Sequence, residues 1–170
     1  AKKAVFTCPS CYHIWKHVYP EVLGHELDVE LYHATELLDQ LMEEGQVKTG
    51  AFPHTVTYHD PCDLGRNAGV FEEPRRILNA IPGLRLVELG QNRLQSICCG
   101  GGGNLEMVAP DLSGALAQKK IEEIQRTGAK TVVTSCQQCV RTIKSRARRQ
   151  KIDLNVMDIT ELVLQAMSED

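Results

Sequence analysis

Short runs of β-branched and apolar residues alternate along the chain with stretches in which apolar positions recur every three to four residues. The runs predict strands near residues 4–7, 28–32, 55–58, 84–89, 131–134 and 154–157. The periodic stretches predict helices near residues 12–18, 34–42, 74–80, 112–126, 137–149 and 159–167, with Pro74 opening one and Gly128 just past the end of another. Strands separated by helices of this length form crossovers, so neighbouring strands run parallel. The expected fold class is α/β, a mostly parallel sheet flanked by helices. Residues 44–53, with two glycines and a proline between periodic segments, read as a linker.

The pattern also repeats. Val5-Phe6-Thr7-Cys8-Pro9-Ser10-Cys11 aligns with Val133-Thr134-Ser135-Cys136-Gln137-Gln138-Cys139, in each case a strand running into a C-x-x-C at a helix start. Downstream, Thr35-Glu36-Leu37, Gln40 and Met42 align with Thr160-Glu161-Leu162, Gln165 and Met167 after a gap of three residues. The expected organisation is the C-terminal part of a first repeat over residues 1–45, then a complete second repeat over 54–170. On that reading the chain is one piece of a larger subunit whose upstream part carries the missing cysteines.

Composition narrows the function classes. The 170 residues carry 19 basic and 22 acidic side chains, a net charge of −3, so no global positive field gathers nucleic acid. Aromatic residues at 5% leave little for stacking bases. No apolar run is long enough to span a bilayer. Seven cysteines are too few for a disulfide scaffold and too clustered for ordinary core thiols. Their odd number and the lack of an export signal lead us to expect a reducing compartment, the cytoplasm, with the chain free there or peripheral to a membrane complex.

Five of the cysteines fall in the second repeat: Cys62, the adjacent pair Cys98 and Cys99, then Cys136 and Cys139. A C-x-x-C where a strand hands over to a helix can aim both sulfurs at one ion, with helix N–H groups stabilising thiolate charge. Adjacent cysteines in an extended strand face opposite ways, so Cys98 and Cys99 share a site only where the backbone kinks. Gly100, Gly101, Gly102 and Gly103 supply that freedom and expose N–H groups to sulfide or another anion. Zinc takes four ligands, and a cubane 4Fe-4S cluster takes four thiolates. Five thiols leave either one bystander or a cluster of unusual shape. A thioredoxin-like dithiol at Cys136 and Cys139 is the competing reading, and it leaves Cys62, Cys98 and Cys99 without a role.

His59-Asp60-Pro61-Cys62-Asp63-Leu64-Gly65-Arg66, then Glu72-Glu73-Pro74-Arg75, Cys98-Cys99-Gly100-Gly101-Gly102-Gly103-Asn104 and Cys136-Gln137-Gln138-Cys139 resemble the CCG cysteine-rich domain of the heterodisulfide reductase catalytic subunit and related iron-sulfur oxidoreductase subunits. The resemblance covers about residues 55–167, and residues 1–42 resemble the tail of a preceding domain of that kind. It implies that Cys62, Cys98, Cys99, Cys136 and Cys139 hold a non-cubane 4Fe-4S cluster that takes part in cleaving a disulfide by successive electron transfers. Cys8 and Cys11 match only the last two positions of an upstream, incomplete site. The resemblance equally fits an electron conduit in a flavin-linked 2-hydroxyacid or glycerol-3-phosphate dehydrogenase complex. The implied partners are a disulfide substrate and other subunits of an electron-transfer complex: a ferredoxin-like protein, a flavoprotein or a membrane cytochrome. A zinc-binding or cluster-free interaction module is the reading outside redox chemistry.

Other residues carry paired readings. His59 could donate a hydrogen bond to a cluster sulfur or pass a proton to a leaving thiolate, or it could cap or pack at the strand end. Asp60 reads as a turn cap. His13 and His17, at i and i+4, could chelate a metal but lack an acidic partner and read as exposed or packing residues. Six cations between Arg141 and Lys151 read as a solvated helix face, or as a docking surface for an acidic electron-transfer partner or an anionic disulfide.

Overall fold

The structure is a computed structural model that describes residues 1–167; residues 168–170, the end of the expected second repeat, lie outside the described residues. The chain runs as β1 (Lys3–Phe6), α1 (Pro9–His13), α2 (Tyr19–Leu23), β2 (Glu30–His33), α3 (Ala34–Glu43), β3 (Thr55–His59), α4 (Glu73–Ala80), β4 (Arg85–Leu86), α5 (Leu105–Val108), α6 (Pro110–Arg126), β5 (Thr131–Thr134), α7 (Gln137–Arg149), β6 (Asn155–Asp158) and α8 (Ile159–Met167). The fold is α/β. Every strand pair among the described residues is parallel: β1 with β2 in a small sheet, and a second sheet in the order β4-β3-β5-β6.

The strands at the centre of the larger sheet are buried on both faces. Thr55–His59 and Thr131–Thr134 are β-branched or aromatic almost throughout, which suits a pleated surface packed by helices on either side. One face closes over Val56, Tyr58, Ile77, Leu78, Met157, Ile159 and Leu162; the other closes over Cys99, Ile121, Ile124, Val132, Cys139 and Ile143. Two of the site cysteines are therefore part of the core.

The two β-α-β-α segments share a register. Lys3 pairs with Glu30, and Thr131 pairs with Asn155. These are the pairs that the sequence repeat aligns, with its three-residue gap falling between the strands. Both following helices start in the same way. Glu36 accepts from the His33 N–H at 2.9 Å, and Glu161 accepts from the Asp158 N–H at 2.9 Å. In return, His33 Nδ1 and Asp158 Oδ1 accept from the N–H groups of Thr35 and Thr160, completing capping boxes.

Two expectations are corrected. The strand expected over 84–89 shrinks to Arg85–Leu86, because it is an edge strand whose chain leaves the sheet after the Val87 N–H bonds Val56 O. Beyond that point Glu88 turns to Arg75, and the Gln91 N–H donates to Glu123. The helix expected over 12–18 is the middle of a longer run from Pro9 to Leu23. Its turn Ile14–Val18 widens to π geometry just ahead of Pro20, which has no N–H to donate and would crowd the preceding turn. The expected linker over 44–53 carries no helix or strand and is packed down, with Phe52 buried in the core and the Gly50 N–H bonding Ala166 O. No helix among the described residues is long and apolar enough to cross a membrane.

Candidate metal centre

The C-terminal ends of β3 and β5 lie side by side, with His59 paired to Thr134, and the chain leaves both strands into cysteine-bearing loops. In parallel sheets this edge is where loops gather around ligands. Cys62 follows β3 and opens a π turn, Asp63–Asn67. Cys136 is the N-cap of α7, with Cys139 inside its first turn. Cys98 and Cys99 arrive from the loop after β4, and Gly100, at φ +86°, supplies the kink that adjacent cysteines need.

The five thiols form one connected chain of side-chain contacts: Cys62 to Cys98, Cys98 to Cys99, Cys99 to Cys139, and Cys139 to Cys136. Cys98 is the thiol that its contacts favour most as thiolate. It accepts from the thiols of Cys62 and Cys99, and from the Gly100 N–H at 3.3 Å, and these together outweigh burial and lower its pKa. Cys136 is lowered to about 7, first by the Cys139 thiol, with burial opposing and the N–H groups of Cys139 and Gln138 assisting at the helix start. The thiols that donate, Cys62 and Cys139, are pushed up by that same donation and by burial.

Glycine is required where this loop meets the helices. A Cβ on Gly100 would lie 2.5 Å from Ser113 O, and one on Gly101 would lie 2.0 Å from Thr142 Oγ1. Ser113 Oγ also donates to Gly100 O at 2.6 Å. Gly102 and Gly103 are exposed, and with Gly101 they line a cleft of about 500 Å³ together with Cys62, Asp63, Cys99, Cys136, Cys139 and Arg141.

His59 is 1% exposed, and neither ring nitrogen has a hydrogen-bond partner. A ring nitrogen lies within 4.8 Å of the sulfurs of Cys99 and Cys139. Burial above all, then the nearby Lys120 charge, holds the imidazole neutral, which suits a hydrogen-bond donor better than an acid. The ring caps nothing.

Asp60 is not a turn cap. It is a buried carboxylate held by Arg75 through Nη1 at 2.8 Å and Nη2 at 3.0 Å, and it accepts the Arg93 N–H at 2.8 Å. Its own carbonyl accepts from Ser96 Oγ, and Ser96 O takes Arg66 Nη1 at 2.7 Å. Asp60, Arg75 and Arg66 therefore brace the loop that delivers Cys98 and Cys99. Sequence reasoning misses this bracing, since its partners lie up to 36 residues apart.

Cys8 and Cys11 stand apart from the five. Cys8 caps α1 and accepts the Cys11 N–H at 3.4 Å; Cys11 is exposed. Only Pro9 and Ser10 from this loop reach the cleft. Ser10 Oγ bonds Asp63, and Gln137 Nε2 bonds Thr7 O at 2.7 Å. His13 and His17 stack with ring centroids 5.0 Å apart. Most of the cations of α7 face solvent; Arg141 pairs with Glu106 and Arg146 bonds Gln118.

A family model for the CCG cysteine-rich domain matches residues 56–144, just over half of the chain. The chain belongs to this family. Among CCG relatives, one subunit of the dihydromethanophenazine:CoB-CoM heterodisulfide reductase from Methanosarcina acetivorans is 37% identical over 168 residues, 98% of this chain and 41% of the relative. One subunit of the CoM/CoB fumarate reductase from Methanothermobacter marburgensis is 37% identical over 167 residues, 98% of this chain and 32% of the relative. EtfAB:quinone oxidoreductase from Syntrophomonas wolfei is 31% identical over 176 residues, 98% and 24% respectively. The chain thus spans less than half the length of these CCG relatives.

The residues present fit an iron-sulfur group. Five soft sulfur donors and no carboxylate make up the contact chain, and soft thiolates select iron-sulfur clusters or zinc. The glycine cradle and the orphaned His59 nitrogens leave room and a donor beside them.

Proposed function

We propose that the chain is the cluster-binding part of an iron-sulfur oxidoreductase subunit of the heterodisulfide-reductase kind. The observation that carries this reading is the unbroken contact chain Cys62, Cys98, Cys99, Cys139, Cys136, four of whose members, Cys62, Cys99, Cys136 and Cys139, line one cleft. Those five residues would hold a 4Fe-4S cluster of the non-cubane shape that the resemblance to heterodisulfide reductase implies; a cubane would leave one of the five a bystander. The cluster would supply one-electron redox chemistry at the cleft. Around it, Gly101 lets the loop close on Thr142, and His59 offers an N–H toward Cys99 and Cys139.

The reaction is reductive cleavage of one S–S bond. Two electrons enter singly, two protons are taken up, and two thiols leave. The cleft of about 500 Å³ is open enough to admit a small disulfide beside the cysteines. The electrons come from other subunits of a complex, a ferredoxin-like protein, a flavoprotein or a membrane cytochrome, on the cytoplasmic side. Turnover of a small disulfide by anaerobically purified protein with a reduced viologen dye tests this. Cluster reduction without turnover would favour the electron conduit of a flavin-linked dehydrogenase complex instead.

A second reading has its own observation. His59, Cys99 and Cys139 bring three ligand atoms within 4.8 Å of one another, a set that suits zinc. Metal analysis separates it from the first.

A further inference from the structure

Lys120 lies on α6 and is 0% exposed, one of the largest fully buried side chains of the protein. Its Nζ donates to Glu123 at 2.6 Å, and Glu123, itself 5% exposed, also takes the Gln91 N–H at 2.7 Å. Replacing a buried ion pair by apolar groups is often neutral or stabilising, so stability alone gives little reason to keep this one. Its position gives a better one.

Ser113, Leu116 and Ala117 of α6 press directly on Gly100, and Ile121 and Ile124 pack in the same core cluster as Cys99 and Cys139. Lys120 lies on the Ala117 side of the helix, three residues on, where i and i+3 neighbours share a face. Its charge is felt at His59; burial lowers the pKa of the ammonium, and Glu123, Asp60 and Cys99 oppose that by favouring the charged form. Of the other charged groups near the loop, Asp60 pairs with Arg75 and Arg93 with Glu72, Asp63 bonds Ser10, and Arg66, whose charge also reaches His59, is exposed and bonds the Ser96 carbonyl, so Lys120 is the buried cation left to face the site. Of the Lys120–Glu123 pair, it is the lysine's charge that acts on His59.

Thiolates gathered in a low-dielectric interior carry charge that the core cannot solvate. Each added electron makes that charge more negative. A fixed cation behind the site stabilises the reduced state more than the oxidised one.

We propose that the buried ammonium of Lys120 is the counter-charge of the cysteine centre and holds its reduction potential up, with Glu123 moderating the effect. Lys120 is a positioning residue in the electrostatic sense: it touches neither substrate nor ligand sulfur. The inference rests on the iron-sulfur reading above.

The test is a redox titration of the cluster-loaded protein by low-temperature EPR, with iron and sulfide measured on the same samples. Lys120→Met should lower the midpoint, cutting the ratio of reduced to oxidised centre about tenfold at the wild-type midpoint, which is about 59 mV for one electron. Glu123→Gln keeps the lysine and one acceptor oxygen for it, at the cost of the Gln91 N–H bond, while removing the opposing charge, and should raise the midpoint. That variant decides the matter if Lys120→Met does not fold. Fully loaded variants with the wild-type midpoint, or a Glu123→Gln midpoint that falls, would overturn the inference alone. A wild type that binds no iron would overturn the proposed function and the inference with it.

Discussion

Gly100 meets the backbone of Ser113 so closely that a Cβ on it would lie 2.5 Å from the Ser113 carbonyl oxygen, and its φ of +86° is one that side-chain-bearing residues rarely adopt. Backbone and helix both resist moving, so Gly100→Ala should force the Cys98–Cys99 loop off α6. The expected result is loss of most bound metal with the fold retained, read by metal content and circular dichroism. Full loading of the variant would show that the close approach is not needed.

Arg75 and Asp60 are 4% and 2% exposed at the side chain, and the pair anchors both Arg93 and Ser96. Arg75→Leu leaves the carboxylate buried and uncompensated, which costs about 3–5 kcal/mol. Urea unfolding should show a loss of that order, accompanied by weaker metal loading. A loss under about 1 kcal/mol would mean that water or another group reaches Asp60, contrary to this geometry.

His33 caps α3 with a bare Nδ1, and burial lowers its pKa to about 4 from the ordinary 6.5. A base whose folded pKa is depressed contributes stability that is present above pH 6.5 and is lost as pH falls toward 4. The loss should total a few kcal/mol across that window. His33→Asn keeps a capping acceptor without titrating and should flatten this part of the pH profile; an unchanged slope would assign it to another group.

Cys8→Ser combined with Cys11→Ser should leave metal content nearly unchanged, since that pair lies outside the five-thiol contact chain. Cys136→Ser combined with Cys139→Ser should abolish it. Equal losses from the two double variants would mean that the cysteines are partitioned differently.

The central elements are legible in the sequence because their signals are local. Thr131-Val132-Val133-Thr134 leading into Cys136-x-x-Cys139 announces a buried strand and a helix start, while the pairing of Lys3 with Glu30 and of Thr131 with Asn155 is seen only in the structure. The edge strand after Leu84 reads longer than it is because its apolar alternation resembles a sheet strand, while the partners that pull it away, Arg75 and Glu123, lie far along the chain. Asp60 and Lys120 are illegible for the same reason. An aspartate before a proline looks like a cap until Arg75 is known to face it. A lysine among helical charges looks solvated until α6 is seen to press it into the core.

Iron, acid-labile sulfide and zinc content of protein isolated without oxygen, followed by low-temperature EPR of the reduced and oxidised forms, tests the central claim most directly. The account predicts about four iron and four sulfide per chain, with an EPR signal lost in Cys62→Ser and in Cys99→Ser. One zinc, or no metal at all in protein that is folded and has its thiols reduced, would contradict it.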